Sequence, residues 1–177
     1  MRFDDICACC QPTRLSRRGL LLGAGAATVA ATLPGLAFAK GGNYEAMLLG
    51  CIDPRLHVPM DRYTARRKLT GRFSQFIIAG AAIGVVAEPF KDWHKAYWDN
   101  VNTSVQLHNI KRVIAINHRD CGAARIAYGA ESVASRKAET ETHRKALAEF
   151  RKQMNERLPR IKVETGLMDL NGRIEML

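Results

Sequence analysis

The stretch Arg112-Val113-Ile114-Ala115-Ile116-Asn117-His118-Arg119-Asp120-Cys121-Gly122-Ala123-Ala124 decides the fold. Arg112 to Asn117 is a short apolar run without strict alternation, the pattern of a strand buried on both faces. His118 closes the run, and Gly122-Ala123-Ala124 begins a helix after a brief turn. A buried strand feeding directly into a helix is the building unit of parallel sheets.

Two earlier runs, Ala46 to Ile52 and Phe76 to Ala82, have the same character, so the pattern predicts an α/β fold with a mainly parallel central sheet flanked by helices. Between the second and third runs, Phe90, Trp93, Tyr97, Val101 and Val105 recur at helical spacing within Glu88 to Asn109. That segment reads as a crossover helix whose stripe belongs to the core. Downstream, Thr140 to Leu158 places Leu147, Phe150, Met154 and Leu158 on one face and predicts a surface helix closed by Pro159. Lys162 to Leu170 then alternates as a strand, and Asn171-Gly172 is a two-residue turn signal leading into Arg173 to Leu177. A C-terminal edge hairpin is expected.

The 177 residues, 47% of them apolar and 25% charged, suit one packed domain rather than a disordered chain. A formal charge of +10 raises the question of nucleic acid. The basic clusters, such as Arg66-Arg67-Lys68 and Arg151-Lys152, alternate with acids and match no nucleic-acid motif. They read as a solvated basic face, with no nucleic-acid partner expected and a field compatible with small anions. Three of the five cysteines, Cys7, Cys9 and Cys10, crowd the first ten residues, so the pattern is not that of a disulfide framework.

Those first residues read as an address. Leu15-Ser16-Arg17-Arg18-Gly19-Leu20-Leu21 precedes an uncharged segment from Gly19 to Ala39 that is interrupted by Pro34-Gly35 and ends in Ala37-Phe38-Ala39. Paired arginines before a mild Gly/Ala-rich stretch resemble a twin-arginine export signal, with cleavage expected after Ala39. Residues 40–177 then form the exported domain, delivered to the periplasm or beyond by the twin-arginine translocation machinery. The segment is long enough for an anchor, but its breakers and sparse large apolar residues favour removal. Removal takes four basic and two acidic residues and leaves a charge of +8.

The chemistry lies in two places. Cys51 follows the first buried run in Gly50-Cys51-Ile52-Asp53-Pro54-Arg55, and His118 and Cys121 follow the third. In open α/β sheets, groups at the carboxyl ends of parallel strands converge on one crevice. Residues 67 apart in sequence can therefore share a site. Two thiolates and one imidazole form a soft set suited to zinc, and three protein ligands leave a fourth position open. A helix starting at Gly122 is expected to stabilise the Cys121 thiolate. Taken singly, each residue has a plainer reading: Cys51 as core, Asp53 and Arg55 as a loop ion pair, His118 as a helix cap. The joint arrangement favours a metal site.

Cys51-x-Asp53-x-Arg55 together with His118-x-x-Cys121-Gly122 resembles the paired signatures of the β-class carbonic anhydrases, over a span from about Met47 to the C-terminus. The resemblance implies zinc on Cys51, His118 and Cys121, and reversible hydration of carbon dioxide by hydroxide drawn from zinc-bound water. It implies Asp53 and Arg55 as a catalytic dyad, with Asp53 becoming the fourth ligand in a resting form. It also implies a homodimer or higher homo-oligomer. Hydrolysis of carbon disulfide or carbonyl sulfide, a non-catalytic zinc protein, and a thiol redox protein using Cys51 and Cys121 are the competing readings. The chain departs from the family pattern at Ile77-Ile78-Ala79-Gly80-Ala81, where polar residues usually flank the small pair, and at Pro54. Lys40 to Leu49 offers no substrate-facing glutamine. His57 and His94 read as surface residues rather than proton relays.

Overall fold

The computed structural model describes residues 42–177. The expected export signal, its cleavage site after Ala39, and Cys7, Cys9 and Cys10 lie outside the described residues. Within them, five strands form one sheet: β1 (Ala46–Gly50), β2 (Phe73–Ile77), β3 (Arg112–His118), β4 (Lys162–Met168) and β5 (Ile174–Met176), in the order β2-β1-β3-β4-β5. All neighbours are parallel except β4 and β5. The helices are α1 (His57–Arg66), α2 (Ala82–Val86), α3 (Lys91–His108), α4 (Gly122–Tyr128) and α5 (Arg136–Arg157). None of the described helices is long and apolar enough to cross a membrane.

β1 is buried along its whole length and β3 from Val113 onward, because both lie inside the sheet with helices above and below. Alternation at β2 shows how the two layers are filled. Phe76 meets Tyr97 of α3 with ring centroids 5.6 Å apart, while Ile77 points to the other face and lies with Met60 of α1 beside Gly50. On the α3 side, Tyr97 also packs edge-on against Phe150 of α5, and both rings are fully buried. The stripe expected on α3 is therefore core, except that Trp93 stacks on Phe90 and stays 40% exposed.

Four sequence expectations change in detail. The second apolar run does not continue as a strand to Ala82: β2 ends at Ile77, a turn follows, and Ala82 begins α2. Gly80 and Ala81 both have positive φ, 78° and 51°, which breaks the extended path. β2 is also an edge strand rather than one buried on both faces, with Ile77 43% exposed. Finally, the C-terminal connection is longer than two residues. Asp169 N–H bonds to Arg173 C=O, Gly172 N–H to Asp169 C=O, and Gly172 has φ 88°, so Leu170-Asn171-Gly172 is a three-residue turn with glycine at its left-handed position. Helix α5 starts at Arg136 instead of Thr140 because the Ser135 side chain accepts the N–H of Ala138 as an N-cap.

Candidate metal centre

The strand order creates the site. From β1 the chain steps outward to β2 and then returns to place β3 on the other flank of β1. At such a switch point the connections leave in opposite directions and open a crevice beyond the strand ends. Register pairs Leu49 with Ala115, so Cys51 and His118 leave the sheet side by side. Cys121 follows after a tight turn made possible by the left-handed Asp120, φ 57°.

The ligating atoms of Cys51, His118 and Cys121 all lie within 4.8 Å of one another, and all three residues are buried. The orientation of His118 is fixed by its own backbone: Nδ1 donates to the carbonyl of Arg119 at 2.8 Å. The proton is thereby placed on Nδ1. Nε2, turned into the cluster, is buried and has no hydrogen-bond partner among the described residues. A carbonyl-braced imidazole with a bare inner nitrogen is how histidine is prepared for a metal. Two sulfurs and such a nitrogen fit zinc in chemistry and number, leaving a fourth position for solvent.

Electrostatics favour the thiolate at Cys51 and the thiol at Cys121. The Cys51 thiol is held well below its ordinary range, chiefly by a hydrogen bond from Cys121, opposed by burial and assisted by His118 and by backbone N–H groups. One of those is Gly80 N–H, 3.1 Å from the sulfur. Cys121 is pushed up, first by sharing that hydrogen bond with Cys51 and then by burial. The N–H groups of Ala123 and Ala124 at the start of α4 do favour its thiolate, as expected from sequence, but they are outweighed. For His118, burial pulls downward, yet the neighbouring Cys51 sulfur, the Arg119 carbonyl on Nδ1 and the charge of Asp53 raise its pKa on balance.

Asp53 stands at the edge of the cluster, its Oδ2 3.9 Å from His118 Nε2. Arg55 grips it with two parallel bonds, Nε to Oδ1 at 2.9 Å and Nη2 to Oδ2 at 2.6 Å. Those bonds, more than anything else nearby, hold the Asp53 carboxyl down at about 2. The dyad is thus paired in this structure, with Asp53 turned to Arg55. His57 is exposed and lines a cavity of about 310 Å³ with Cys51, Met60 and Ile77. His94 lies away on α3, its Nε2 3.1 Å from the Ala87 carbonyl.

Five neighbours were not singled out by sequence. Gly80, which donates to Cys51, sits in the Ala79-Gly80-Ala81 turn, where a small pair was visible but its N–H was not. Asp120 lies inside the His118–Cys121 spacing and binds Arg55. Glu139 and His143, one turn apart on α5, are buried polar residues in a helix that reads as charged surface. Asn117 accepts the N–H of Ala82 and donates to His143 Nδ1 at 3.0 Å, tying α5 to the turn beneath Cys51. Burial, then the charges of His118 and Arg119, pull His143 down to about 4 and keep it neutral.

No protein-family model matches the chain. Among solved structures it is similar to a β-carbonic anhydrase of the ascomycete Sordaria macrospora, one of two described as tetrameric, with a TM-score of 0.53 and 14% identity over 77% of this chain and 82% of that one. It is also similar to the Coccomyxa β-carbonic anhydrase in complex with acetazolamide, with a TM-score of 0.52 and 13% identity over 82% of this chain and 76% of the other. At such identities the likeness is one of fold. In sequence it is 34% identical to an uncharacterized protein of Rickettsia bellii over 75% of this chain and 81% of that protein. It is 31% identical to uncharacterized protein RC0076 of Rickettsia conorii over 75% and 72% of the two chains. The chain therefore belongs to one family with these Rickettsia proteins, and its fold is that of the β-carbonic anhydrases.

Proposed function

We propose that this protein is a zinc enzyme that interconverts carbon dioxide and bicarbonate. The observation that carries the reading is the Cys51, His118, Cys121 cluster, with its unpartnered His118 Nε2, set beside an ionised Asp53 gripped by Arg55. When bound there, zinc supplies Lewis acidity and activates a water molecule for attack on carbon.

The protein's own groups do the rest. Asp53 keeps its charge at any physiological pH, so it accepts a hydrogen bond from solvent in the crevice and orients it. Arg55 holds Asp53 away from the cluster and leaves the fourth position to solvent. A cleft of about 700 Å³ beside Cys121 is lined by Arg55, Arg119, Arg125 and Arg136 together with Asp53, Asp120 and Glu139. Three of the arginines are ion-paired, and Arg125, which has no ion-pair partner among the described residues, is the cation there suited to an anionic product. On the opposite side of Cys51, Leu56, Met60 and Ile77 line the smaller cavity. Its apolar wall supports a second reading, hydrolysis of carbon disulfide or carbonyl sulfide on the same centre.

The test is metal analysis of the purified protein joined to stopped-flow carbon dioxide hydration. One zinc per chain is expected, with hydration abolished in Cys51→Ser and in Asp53→Ala. Retention of activity in both variants refutes the mechanism, and zinc without any turnover of carbon dioxide, carbon disulfide or carbonyl sulfide leaves a non-catalytic zinc protein.

The tetrameric description of the Sordaria enzymes supports a homo-oligomeric assembly here, read by light scattering. Residues 1–39 belong to the proposal as a twin-arginine export signal, and mass spectrometry of the exported protein is expected to find Lys40 as its first residue.

A further inference from the structure

Arg55 serves two carboxylates at once. Its Nε and Nη2 hold Asp53, while Nη1 donates to Asp120 Oδ2 at 2.7 Å and Nη2 to the Asp120 carbonyl at 3.0 Å. The two contacts differ in what they can fix. Asp53 and Arg55 are two residues apart on one loop and move together, so their pairing alone does not set the dyad's position relative to the cluster. Asp120 is on the other loop, between His118 and Cys121, 65 residues away in sequence. It ties the dyad to the residues it must address.

Asp120 is itself anchored. Its backbone N–H donates to Glu139 Oε1 at 2.5 Å, and the other Glu139 oxygen accepts from Arg119 Nη1 at 3.1 Å. Arg119 in turn pairs with Asp169 at 3.0 Å. Glu139 is 8% exposed and Arg119 7%. A buried, fully engaged network of this kind holds one geometry, because any displaced member leaves a desolvated charge. Asp120 thus presents its carboxylate from a backbone held in place, although that carboxylate is itself 75% exposed, and Arg55 is a long side chain left 46% exposed.

We propose that Asp120, braced by Glu139, is the positioning residue that keeps Arg55 clamped on Asp53 and so keeps Asp53 out of the fourth metal position. The inference rests on the metal reading above. Without the Asp120 carboxylate, the guanidinium keeps only the residue-120 carbonyl as its tie to the metal loop and loses the charged one, its grip on Asp53 loosens, and Asp53 is free to turn toward a nearby cation and displace solvent.

The experiment uses the full chain loaded with Co(II), whose visible spectrum reports coordination, titrated with thiocyanate as a probe of the fourth position. Asp120→Gly removes the carboxylate but keeps the backbone carbonyl and tolerates the left-handed φ. Thiocyanate affinity is expected to fall at least tenfold in this variant with cobalt stoichiometry unchanged. Asp120→Asn, which retains an acceptor oxygen, is expected to recover to within about threefold of the original chain. Adding Asp53→Ala to Asp120→Gly is expected to restore anion binding, since the competing carboxylate is gone. Unaltered thiocyanate affinity in Asp120→Gly, or a loss that Asp53→Ala does not relieve, overturns the positioning role alone. Failure of the unchanged chain to bind cobalt overturns it together with the metal reading.

Discussion

Gly80 donates its backbone N–H to the sulfur of Cys51 across 3.1 Å, from a turn that brings the chain back from the edge of the sheet to the strand end beside it. Its φ of 78° is open to glycine, and a Cβ there would come within 3.0 Å of the Ala123 side chain and 3.1 Å of Ile83. Ala81, next to it, is a buried non-glycine residue also at positive φ, so this turn stores strain beneath the site. Gly80→Ala is expected to cost about 1–3 kcal/mol of stability and to weaken zinc binding, as measured by chelator competition. Unchanged zinc affinity in a folded Gly80→Ala protein would show that the N–H to sulfur bond is incidental.

Metal removal is expected to destabilise the fold measurably, because it leaves the buried His118 Nε2 without a partner and two sulfurs sharing one proton. Free zinc at about 1,000 times Kd stabilises a native state by about 4 kcal/mol. For a domain of this size that is a shift on the order of 10 °C in Tm. Scanning calorimetry of chelated and zinc-reconstituted protein checks it, with magnesium expected to give no shift because the donors are soft.

Away from the centre, Glu164 bridges Arg67 at 2.7 Å and Arg112 at 2.9 Å. Burial alone would raise its pKa, but the hydrogen bond from Arg67 and the charges of both arginines win and hold it below the ordinary glutamate value of 4.5. A folded-state pKa below the unfolded one means that the stabilisation is present above that unfolded value and is lost as pH falls through the folded one. Glu164→Gln is therefore expected to be about 1–3 kcal/mol less stable at pH 7, with the difference shrinking as pH drops below 4.5. Urea titrations of both proteins from pH 3 to pH 7 (chosen to span about that value) decide it, and a gap that stays constant across the series would exclude the ion-pair account.

Tyr97 makes the opposite case. Its hydroxyl is buried, and its partner is the thioether of Met154, with 3.4 Å between Oη and Sδ. Burial pushes its pKa far upward, so the ring stays neutral. A thioether is a weak acceptor, and the ring's packing against Phe76, Trp98 and Phe150 survives loss of the oxygen. Tyr97→Phe is expected to change stability by less than about 1 kcal/mol in either direction, whereas Phe150→Ala is expected to cost about 3–5 kcal/mol. Chemical denaturation of the two variants makes the comparison.

The strands, the long helices and the donor set were legible in the chain itself. The apolar run expected over Ala46 to Ile52 reveals burial on two faces as far as Gly50, with Ile52 already exposed, and the Phe90, Tyr97, Val101 stripe reveals a helix, because side-chain period follows backbone geometry over a few residues. Cys51, His118 and Cys121 could likewise be picked out in advance as a group, since each alone has a plainer use but all three stand at the ends of buried strands, and the structure brings them together. What the period could not report was which strand sits at an edge. The expected run Phe76 to Ala82 shares only Phe76 and Ile77 with β2, which begins at Phe73, carries Ser74 and Gln75 and borders solvent, and the run breaks at Gly80 and Ala81 where two residues take positive φ.

Tertiary structure alone decided the supports of the site. Arg55 meets Asp120 from 65 residues away, Glu139 reaches Asp120 from a helix that reads as surface, and Asn117 meets His143 across 26 residues. Such hydrogen bonds depend on how strands are ordered and how α5 is laid against them, which no local pattern encodes. Residue type and spacing determined which atoms can bind a metal. The order of strands in space determined that they meet.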